Sequence, residues 1–256
     1  RLNRSVLTVA CEQTEVLLFD PISSKHIKTL SEAHEDCVNN IRFLDNRLFA
    51  TCSDDTTIAL WDLRKLNTKV CTLHGHTSWV KNIEYDTNTR LLVTSGFDGN
   101  VIIWDTNRCT EDGCPHKKFF HTRFLMRMRL TPDCSKMLIS TSSGAPVRPV
   151  SPRCSLRLTH CIEEANVGRG YIKELCFSPD GRMISSPHGF GIRLLGFDAH
   201  CSELVDCLPR EASPLREIRS LYSHNDVVLT TKFSPTHCQI ASGCLSGRVS
   251  LYQPKF

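Results

Sequence analysis

Two sets of residues in this sequence have the types that nucleophilic catalysis uses. His34, Thr51 and Asp55 offer an imidazole base, a hydroxyl and a carboxylate that would orient the imidazole. A second set with the same order of residue types consists of His76, Thr94 and Asp98. An active site needs one such set, so the recurrence at a regular interval favours a structural role over a catalytic triad.

Sulfur chemistry is the second possibility that the residue types raise. The segment CTEDGCPH places Cys109, Cys114 and His116 close together in sequence, and thiolates and imidazole are ligands of zinc. The segment lacks a second ligand pair at the spacing of a zinc motif. We therefore interpret it as a loop and predict neither a metal site nor a cofactor.

The 14 cysteines of the chain also bear on its compartment. Several stand singly in apolar, strand-like stretches, as do Cys52, Cys71, Cys176 and Cys244. Cysteines in this pattern typically act as small buried apolar residues of a protein in a reducing compartment, and they do not form a disulfide framework. The pattern predicts an intracellular protein of the cytoplasm, the nucleus or both.

Other classes of function are disfavoured by motif and charge. The sequence shows no nucleophile motif, glycine-rich phosphate loop or clustered carboxylate pair outside the repeated sets, so we predict no enzyme and no catalytic residue. The 31 basic and 27 acidic residues nearly balance, at a net charge of +4, and no long basic run is present. Neither nucleic acid nor a membrane is therefore a predicted partner, and no apolar stretch approaches the ~18 residues of a membrane span.

The elements that must position the repeated sets are short β-strands. In SDDTTIALWDLR, residues 53–64, the acidic pair suits a turn, and the following run, Thr56, Thr57 and Ile58, favours a strand. The stretch that begins at His34 recurs at His76, with an offset of 42 residues at the histidines and 43 at the tryptophans. Fainter copies begin at His121, Tyr171 and His224. Because no amphipathic helix lies between the strand-like runs, the sequence predicts an all-β repeat architecture.

The repeat resembles the WD40 family, in which Gly-His, a structural Asp and Trp-Asp recur at this spacing. The resemblance implies a β-propeller of four-stranded blades, seven when complete. It also implies two hydrogen-bonded chains within blades, His34–Thr51–Asp55–Trp61 and His76–Thr94–Asp98–Trp104. The last unit departs from the pattern, since Ser246 holds the Asp position and Tyr252 the Trp position.

We predict one propeller domain over residues 1–256. The family closes its ring by an N-terminal strand, so residues 2–9 are expected beside residues 248–252 or beside the neighbouring blade. After residue 144 the period fails, because APVRPVSPRC is rich in proline, which cannot continue a central strand. We expect a segment to be missing or excised near residues 144–145; the alternative is a divergent blade with a proline loop.

Arg64 has no role in the repeat itself. LFATCSDDTTIALWDLR resembles the motif by which WD40 substrate receptors dock on the damaged-DNA-binding adaptor of cullin-four ubiquitin ligases. The resemblance implies docking through Asp62, Arg64 and Arg108, although Asn107 holds the arginine position of the second repeat. It further implies a non-catalytic substrate-recognition subunit; the alternative is a WD40 scaffold for another intracellular complex.

The same resemblance places protein substrates on the opposite face of the propeller. That face is built by loops before the first strand of each blade and at the turn before the structural Asp. The corresponding positions hold Trp79, Lys81, Phe97, Phe124, Met126, Tyr171, Lys173, Val227 and Leu245. Aromatic side chains dominate binding hot spots, so Trp79, Phe97 and Tyr171 are the preferred anchors.

Overall fold

The computed structural model describes residues 5–110, 113–122, 125–134, 137–141, 148–149, 159–162, 173–197 and 212–254. Within these ranges the chain forms β-strands and one 3₁₀ turn, Thr106–Arg108, with no α-helix. No helix of the described part has the length and apolarity to cross a membrane. The chain divides into two compact units, residues 1–128 with 145–155 and residues 129–144 with 156–256.

The first blade is a three-stranded antiparallel sheet of β1 (Leu7–Ala10), β2 (Val16–Phe19) and β3 (His26–Leu30). Residues 7–10 of β1 pair with residues 16–19 of β2. Residues 7–9 therefore pair within the first blade and not with residues 248–252. A tight loop closed by the Cys11 N–H donating to the Glu15 carbonyl, with Thr14 at a φ of 66°, folds β1 back onto its own blade.

The second and third blades carry the repeated sets of residues. The second blade consists of β4 (Val38–Phe43), β5 (Leu48–Ser53), β6 (Ile58–Asp62) and β7 (Cys71–Leu73). The third consists of β8 (Val80–Asp86), β9 (Leu91–Gly96), β10 (Asn100–Asp105) and β11 (His116–His121), with β14 (Arg148–Pro149) added at its edge. Both sheets are antiparallel throughout, as the alternating strand pattern predicts.

The remaining strands form two small sheets and the penultimate and last blades. Two small sheets pair β12 (Leu125–Leu130) with β13 (Met137–Thr141), and β15 (His160–Cys161) with β19 (Ser213–Pro214). The penultimate blade contains β16 (Cys176–Phe177), β17 (Met183–His188), β18 (Gly191–Gly196) and β20 (Arg216–Tyr222). The last blade contains β21 (Val228–Phe233), β22 (Ile240–Cys244) and β23 (Val249–Tyr252). Five sheets of three or more strands are thus present in the described ranges.

A β-bulge recurs in the first strand of three blades. The register shifts between Val38 and Asn40 in the second blade, between Val80 and Asn82 in the third, and between Val228 and Thr230 in the last. A bulge leaves one residue unpaired and re-aims its side chain. The re-aimed residues include Asn39 and Lys81, whose side chains meet between the second and third blades.

The turn before the third strand of each blade requires a left-handed backbone. Gly99 in the third blade has a φ of 77° and Gly247 in the last has a φ of 82°, and glycine adopts this conformation without strain. The second blade places Thr56 there, at a φ of 73°. The strand prediction for residue 56 is therefore wrong, because β6 begins at Ile58.

The second and third blades share one apolar core. Its fully buried members include Ile58, Leu73, Ile83, Leu92 and Trp104. Burial of each such side chain contributes roughly 1.5–3 kcal/mol, so this contact fixes the two blades as neighbours.

Candidate docking and substrate surfaces

The second-blade set forms one directional chain of hydrogen bonds. His34 Nδ1 lies 2.8 Å from an oxygen of Asp55, and His34 Nε2 lies 2.7 Å from the hydroxyl of Thr51. Trp61 Nε1 donates to the same hydroxyl at 3.0 Å. With Asp55 ionised, Nδ1 carries the ring proton, so Thr51 donates to Nε2 and accepts from Trp61. Every polar group of the chain is satisfied.

The third blade repeats this arrangement. His76 Nδ1 lies 3.0 Å from Asp98, His76 Nε2 lies 2.8 Å from Thr94, and Trp104 Nε1 donates to Thr94 at 2.8 Å. Burial by itself raises the pKa of Asp98, but the hydrogen bond from His76 and other donors outweigh it and hold the pKa well below its usual range. The carboxylate is therefore charged at neutral pH and fixes the histidine tautomer.

These sets have triad-like contacts but no access for a substrate. Thr51 and Thr94 are completely buried, and a tryptophan N–H occupies each hydroxyl oxygen. A nucleophile must reach the carbon it attacks, which these hydroxyls cannot do. The geometry therefore agrees with the structural interpretation.

The last blade carries a shorter chain of hydrogen bonds. His224 Nε2 lies 2.7 Å from the hydroxyl of Ser242, which donates to the hydroxyl of Tyr252 at 3.2 Å. His224 Nδ1 is buried and has no hydrogen-bond partner in the described structure. Ser246, which replaces the aspartate, contacts the sulfur of Cys244 instead. The predicted departure of this network is thus a missing carboxylate.

Asp62 and Arg64 form a rigid fork at the end of β6. The Asp62 carboxylate accepts the Arg64 backbone N–H at 2.8 Å and Arg64 Nε at 3.0 Å, and it also contacts a terminal guanidinium nitrogen. Hydrogen bonding from Arg64 lowers the pKa of Asp62 to about 2. The Arg64 side chain remains 61% exposed while Asp62 holds its orientation.

The third blade has a related but different ending. Asp105 caps the 3₁₀ turn by accepting the Asn107 N–H at 3.1 Å, as Asp62 accepts the N–H of Arg64. Arg108 follows in the last position of the turn and is exposed. The turn thus presents an arginine one residue later than the second blade does.

The aromatic pair Trp79 and Phe97 lies at the opposite end of the strands from these arginines. Their ring centres are 5.5 Å apart, and the Phe97 N–H donates to the Trp79 carbonyl. They stay 47% and 37% exposed. Gly96 permits the close approach, since a Cβ there would lie 2.6 Å from the Trp79 carbonyl oxygen.

Lys81 supports this pair from below instead of standing free in solvent. Its ammonium lies 4.8 Å from the Trp79 ring centre and 5.4 Å from that of Phe97. It also donates to Asp54 at 2.6 Å and to Asn39 at 3.0 Å. The bulges of β4 and β8 bring Asn39 and Lys81 together, so the sequence placed Lys81 on this face without revealing its partners.

The other predicted substrate-face positions are only partly described. Phe124 and Tyr171 lie outside the described residues, as does the side chain of Met126. Lys173 is partly exposed. Leu245 is exposed, and its N–H donates to the Val227 carbonyl, which repeats the backbone link between Phe97 and Trp79.

Comparison with known proteins begins with the repeats. Residues 24–62, 67–105 and 215–253 each match the family model of the WD domain, G-beta repeat. The three matches end one residue after Trp61, Trp104 and Tyr252, respectively. This confirms the predicted WD40 repeats.

Relatives of high identity extend over nearly the whole chain. The DDB1- and CUL4-associated factor 10 of Mus musculus is 65% identical over 379 residues, covering 98% of this chain and 67% of the relative. The Homo sapiens protein of that name is 65% identical, with 98% and 68% coverage, and the Danio rerio protein is 59% identical, with 98% and 72% coverage. The chain belongs to the DDB1- and CUL4-associated factor 10 family.

The mouse member also differs from this chain in internal length. The aligned region holds 379 positions and this chain has 256 residues, so at least 123 aligned positions have no residue here.

A solved structure agrees on the fold. A chain in the crystal structure of the mitotic checkpoint complex matches with a TM-score of 0.68 at 18% identity, covering 98% of this chain and 71% of that one. The chain is thus an all-β WD40 propeller.

One cluster of side chains was not predicted from the sequence. The sulfurs of Cys71, Cys109 and Cys114 lie within 4.8 Å of one another, whereas the ring of His116 packs on Trp104. Cys71 comes from the second blade, and the other two come from the third. Only the general spacing of the blades, not any local motif, could have linked them.

Proposed function

We propose that the chain is the substrate-recognition subunit of a cullin-four ubiquitin ligase. It docks on DDB1 through the docking rim, defined as Asp62, Arg64 and Arg108, and it presents protein substrates on the face that carries Trp79 and Phe97. The observation that carries this proposal is the exposed Asp62–Arg64 fork, found in a chain whose relatives are named as DDB1- and CUL4-associated factors.

The chemistry of the fork suits a protein–protein contact. An arginine keeps its charge and offers five donors in a planar arrangement. Because Asp62 already holds Arg64, docking costs less side-chain entropy than it would for a mobile arginine. Arg108 extends the rim onto the third blade.

The substrate face has the composition of a recognition surface. Two exposed aromatic rings side by side form an apolar platform, and the ammonium of Lys81 underneath strengthens it by cation–π contacts. Phe124, Met126, Tyr171 and Lys173 extend the same face in the proposal. The substrates are proteins, because the near balance of charge favours neither nucleic acid nor a membrane surface.

The subunit acts without catalysis and without a cofactor. Its histidine–threonine–aspartate sets are occupied by blade hydrogen bonds, so ubiquitin transfer is left to other subunits of the ligase. The ligase context also places the protein inside the cell, in the cytoplasm, the nucleus or both.

A complete propeller of seven blades needs more strands than the described residues of this chain supply. We propose one domain over residues 1–256 that lacks a segment near residues 144–145. The failure of the repeat after residue 144 and the at least 123 unmatched positions of the mouse relative support this proposal.

Co-precipitation from cells tests the ligase function. The tagged chain is expected to recover DDB1 together with cullin four, and its expression is expected to increase ubiquitination of the proteins it captures. The alternative, a WD40 scaffold for another complex, predicts stable partners without DDB1. Absence of DDB1 from a folded, tagged chain would reject the ligase proposal.

A further inference from the structure

Three cysteine sulfurs converge between the second and third blades. Cys71 is the first residue of β7, Cys109 ends the 3₁₀ turn, and Cys114 precedes β11. Their sulfur atoms all lie within 4.8 Å of one another, and Cys109 and Cys114 are joined as a disulfide. Cys71 is therefore a free thiol whose sulfur lies within 4.8 Å of both sulfurs of a cysteine pair.

The backbone holds the three residues in place. The Thr110 N–H donates to the Gly113 carbonyl at 2.8 Å and the Gly113 N–H donates back at 3.1 Å, which closes a tight loop between the two paired cysteines. Their Cα atoms are 4.2 Å apart. Cys71 and Cys114 are buried within the apolar core shared by the two blades. The cluster is thus preorganised by strands on both sides.

We propose that the reduced chain binds one thiophilic closed-shell metal ion, zinc(II) or copper(I), through Cys71, Cys109 and Cys114. Three thiolates around one zinc at about 2.3 Å place their sulfurs roughly 3.8 Å apart. The three sulfurs lie within 4.8 Å of one another, so they can reach this spacing once the Cys109–Cys114 bond is reduced and its two sulfurs separate. Soft thiolate ligands select these ions over hard cations such as magnesium. Zinc would complete its tetrahedron with a water, whereas copper(I) is satisfied by three sulfurs.

The metal-bound state requires the cysteine pair to be reduced. A dithiol reductant supplies two electrons and two protons to the Cys109–Cys114 bond and becomes a disulfide itself. The two resulting thiols and the thiol of Cys71 then release three protons as they bind the ion. Oxidation of the pair and metal binding are consequently exclusive states of the same cluster.

The position of the site gives the ion a mechanical role. Cys109 follows Arg108 directly, so a metal bound to Cys71 ties the turn of Arg108 to the outer strand of the second blade. Metal binding to the native state only would stabilise that state by mass action. This inference concerns the stability of the rim and does not depend on whether DDB1 docks there.

Metal analysis of the purified 256-residue chain tests the proposal. After reduction and exchange into metal-free buffer, the wild type is expected to bind one equivalent of zinc, measured by elemental analysis. Cobalt(II) in its place is expected to give thiolate charge-transfer absorption. A parallel titration with copper(I) against a colorimetric chelator distinguishes the two ions. Cys71→Ser and Cys109→Ser are expected to lose at least tenfold in affinity, while Cys238→Ser, at an exposed cysteine, is expected to bind as the wild type does.

Folding of each variant is monitored by circular dichroism, and Cys109→Ser is the critical variant because its position is only partly buried. Zinc is expected to raise the Tm of the reduced wild type and to leave that of Cys109→Ser unchanged. Failure of the reduced wild type to bind zinc or copper(I) would overturn the proposal. Equal binding by Cys71→Ser and the wild type would overturn it as well, because the ion would then bind elsewhere.

Discussion

The ammonium of Lys81 lies 2.6 Å from the carboxylate of Asp54 and thereby joins the third blade to the second. Both side chains are only 10–12% exposed, so neither is well solvated if the other is removed. Asn39 completes the contact by donating to Asp54 at 2.6 Å. The aromatic pair above Lys81 therefore rests on a polar link between blades.

Removal of Asp54 is expected to destabilise this link. Asp54→Ala leaves the ammonium without its carboxylate and is expected to lower the free energy of unfolding by about 1–3 kcal/mol. Asp54→Ala combined with Lys81→Met is expected to cost less than the sum of the single changes, because the pair is removed together. Urea denaturation measures both, with Glu12→Ala as the exposed control; strict additivity would show that the two groups do not interact.

The hydrogen-bonded chain of the third blade leads to a second prediction. Asp98→Ala and Trp104→Phe are each expected to cost about 1–3 kcal/mol, because a buried partner is left unsatisfied. Their effects are expected to be non-additive, since both act through Thr94. A Tm equal to that of the wild type in both single variants would contradict a stabilising role for this chain of hydrogen bonds.

The pH dependence of the same carboxylate checks its charge. The pKa of Asp98 in the folded protein lies well below the 3.8 of the unfolded chain, so its contribution is present above pH 3.8 and is lost as the pH falls through the lower, folded pKa. The stability difference between wild type and Asp98→Asn is expected to be constant above about pH 5 and to shrink below pH 3.8. A difference that grows on acidification would refute the assignment.

The ease of predicting these features depends on how far apart their partners lie. The chains of His34 and His76 could be predicted because each uses fixed positions within one repeat. The Lys81–Asp54 contact could not, since it depends on bulges that shift side chains by one residue without any mark in the hydrophobic pattern. The approach of Cys71 to Cys109 was equally hidden, because it is a contact between blades.

Local backbone conformation was the other limit. Threonine favours strands, so Thr56 was assigned to β6, yet the turn geometry common to the blades forces it into the left-handed region. The family resemblance predicts that the N-terminal strand lies beside residues 248–252 or the neighbouring blade, and a five-residue hairpin loop pairs it with β2 of the first blade. In both places the local turn determines where the strand begins or which strand it pairs with.

The last blade offers a gain-of-stability prediction. Ser246→Asp is expected to provide the missing carboxylate for His224 Nδ1 and to stabilise the chain by about 1 kcal/mol. Burial, with the nearby charge of Arg248, now lowers the pKa of His224, and the new carboxylate is expected to raise it. NMR titration and thermal melts measure the two effects. Ser246→Asn is the neutral control, and an Asp variant with an unchanged His224 pKa would show that the carboxylate does not reach the ring.

The aromatic face leads to a prediction about substrates. Trp79→Ala and Tyr171→Ala are expected to reduce substrate capture severalfold, with intact folding and DDB1 docking, because aromatic side chains contribute most at binding surfaces and the ring of Trp79 is exposed. Proximity labelling with the double variant measures the set of neighbours. Tyr222→Ala, an exposed aromatic on the penultimate blade, is the matched control. An unchanged set of labelled proteins would mean that the rings serve only packing.

Arg64 leads to the sharpest prediction. If its guanidinium is buried against acceptors of DDB1, Arg64→Ala is expected to cost about 2–4 kcal/mol of binding, which is some thirty- to thousandfold in affinity. Arg64→Lys is expected to recover only part of this, because an ammonium cannot reproduce the planar fork that Asp62 holds. Folding is expected to change little, since the side chain lies outside the core and 61% exposed.

The measurement compares DDB1 co-precipitation by the wild type, Arg64→Ala, Arg64→Lys and Arg219→Ala, with a thermal melt of each. Arg219 is an exposed arginine on β20, so its loss changes the net charge equally and leaves the docking rim intact. Loss of DDB1 with Arg64→Ala alone would locate the contact at the rim, because a general charge effect would weaken both variants. Full recovery of DDB1 by a folded Arg64→Ala chain would show that docking rests on other surfaces, and that the fork of Asp62 and Arg64 only terminates β6.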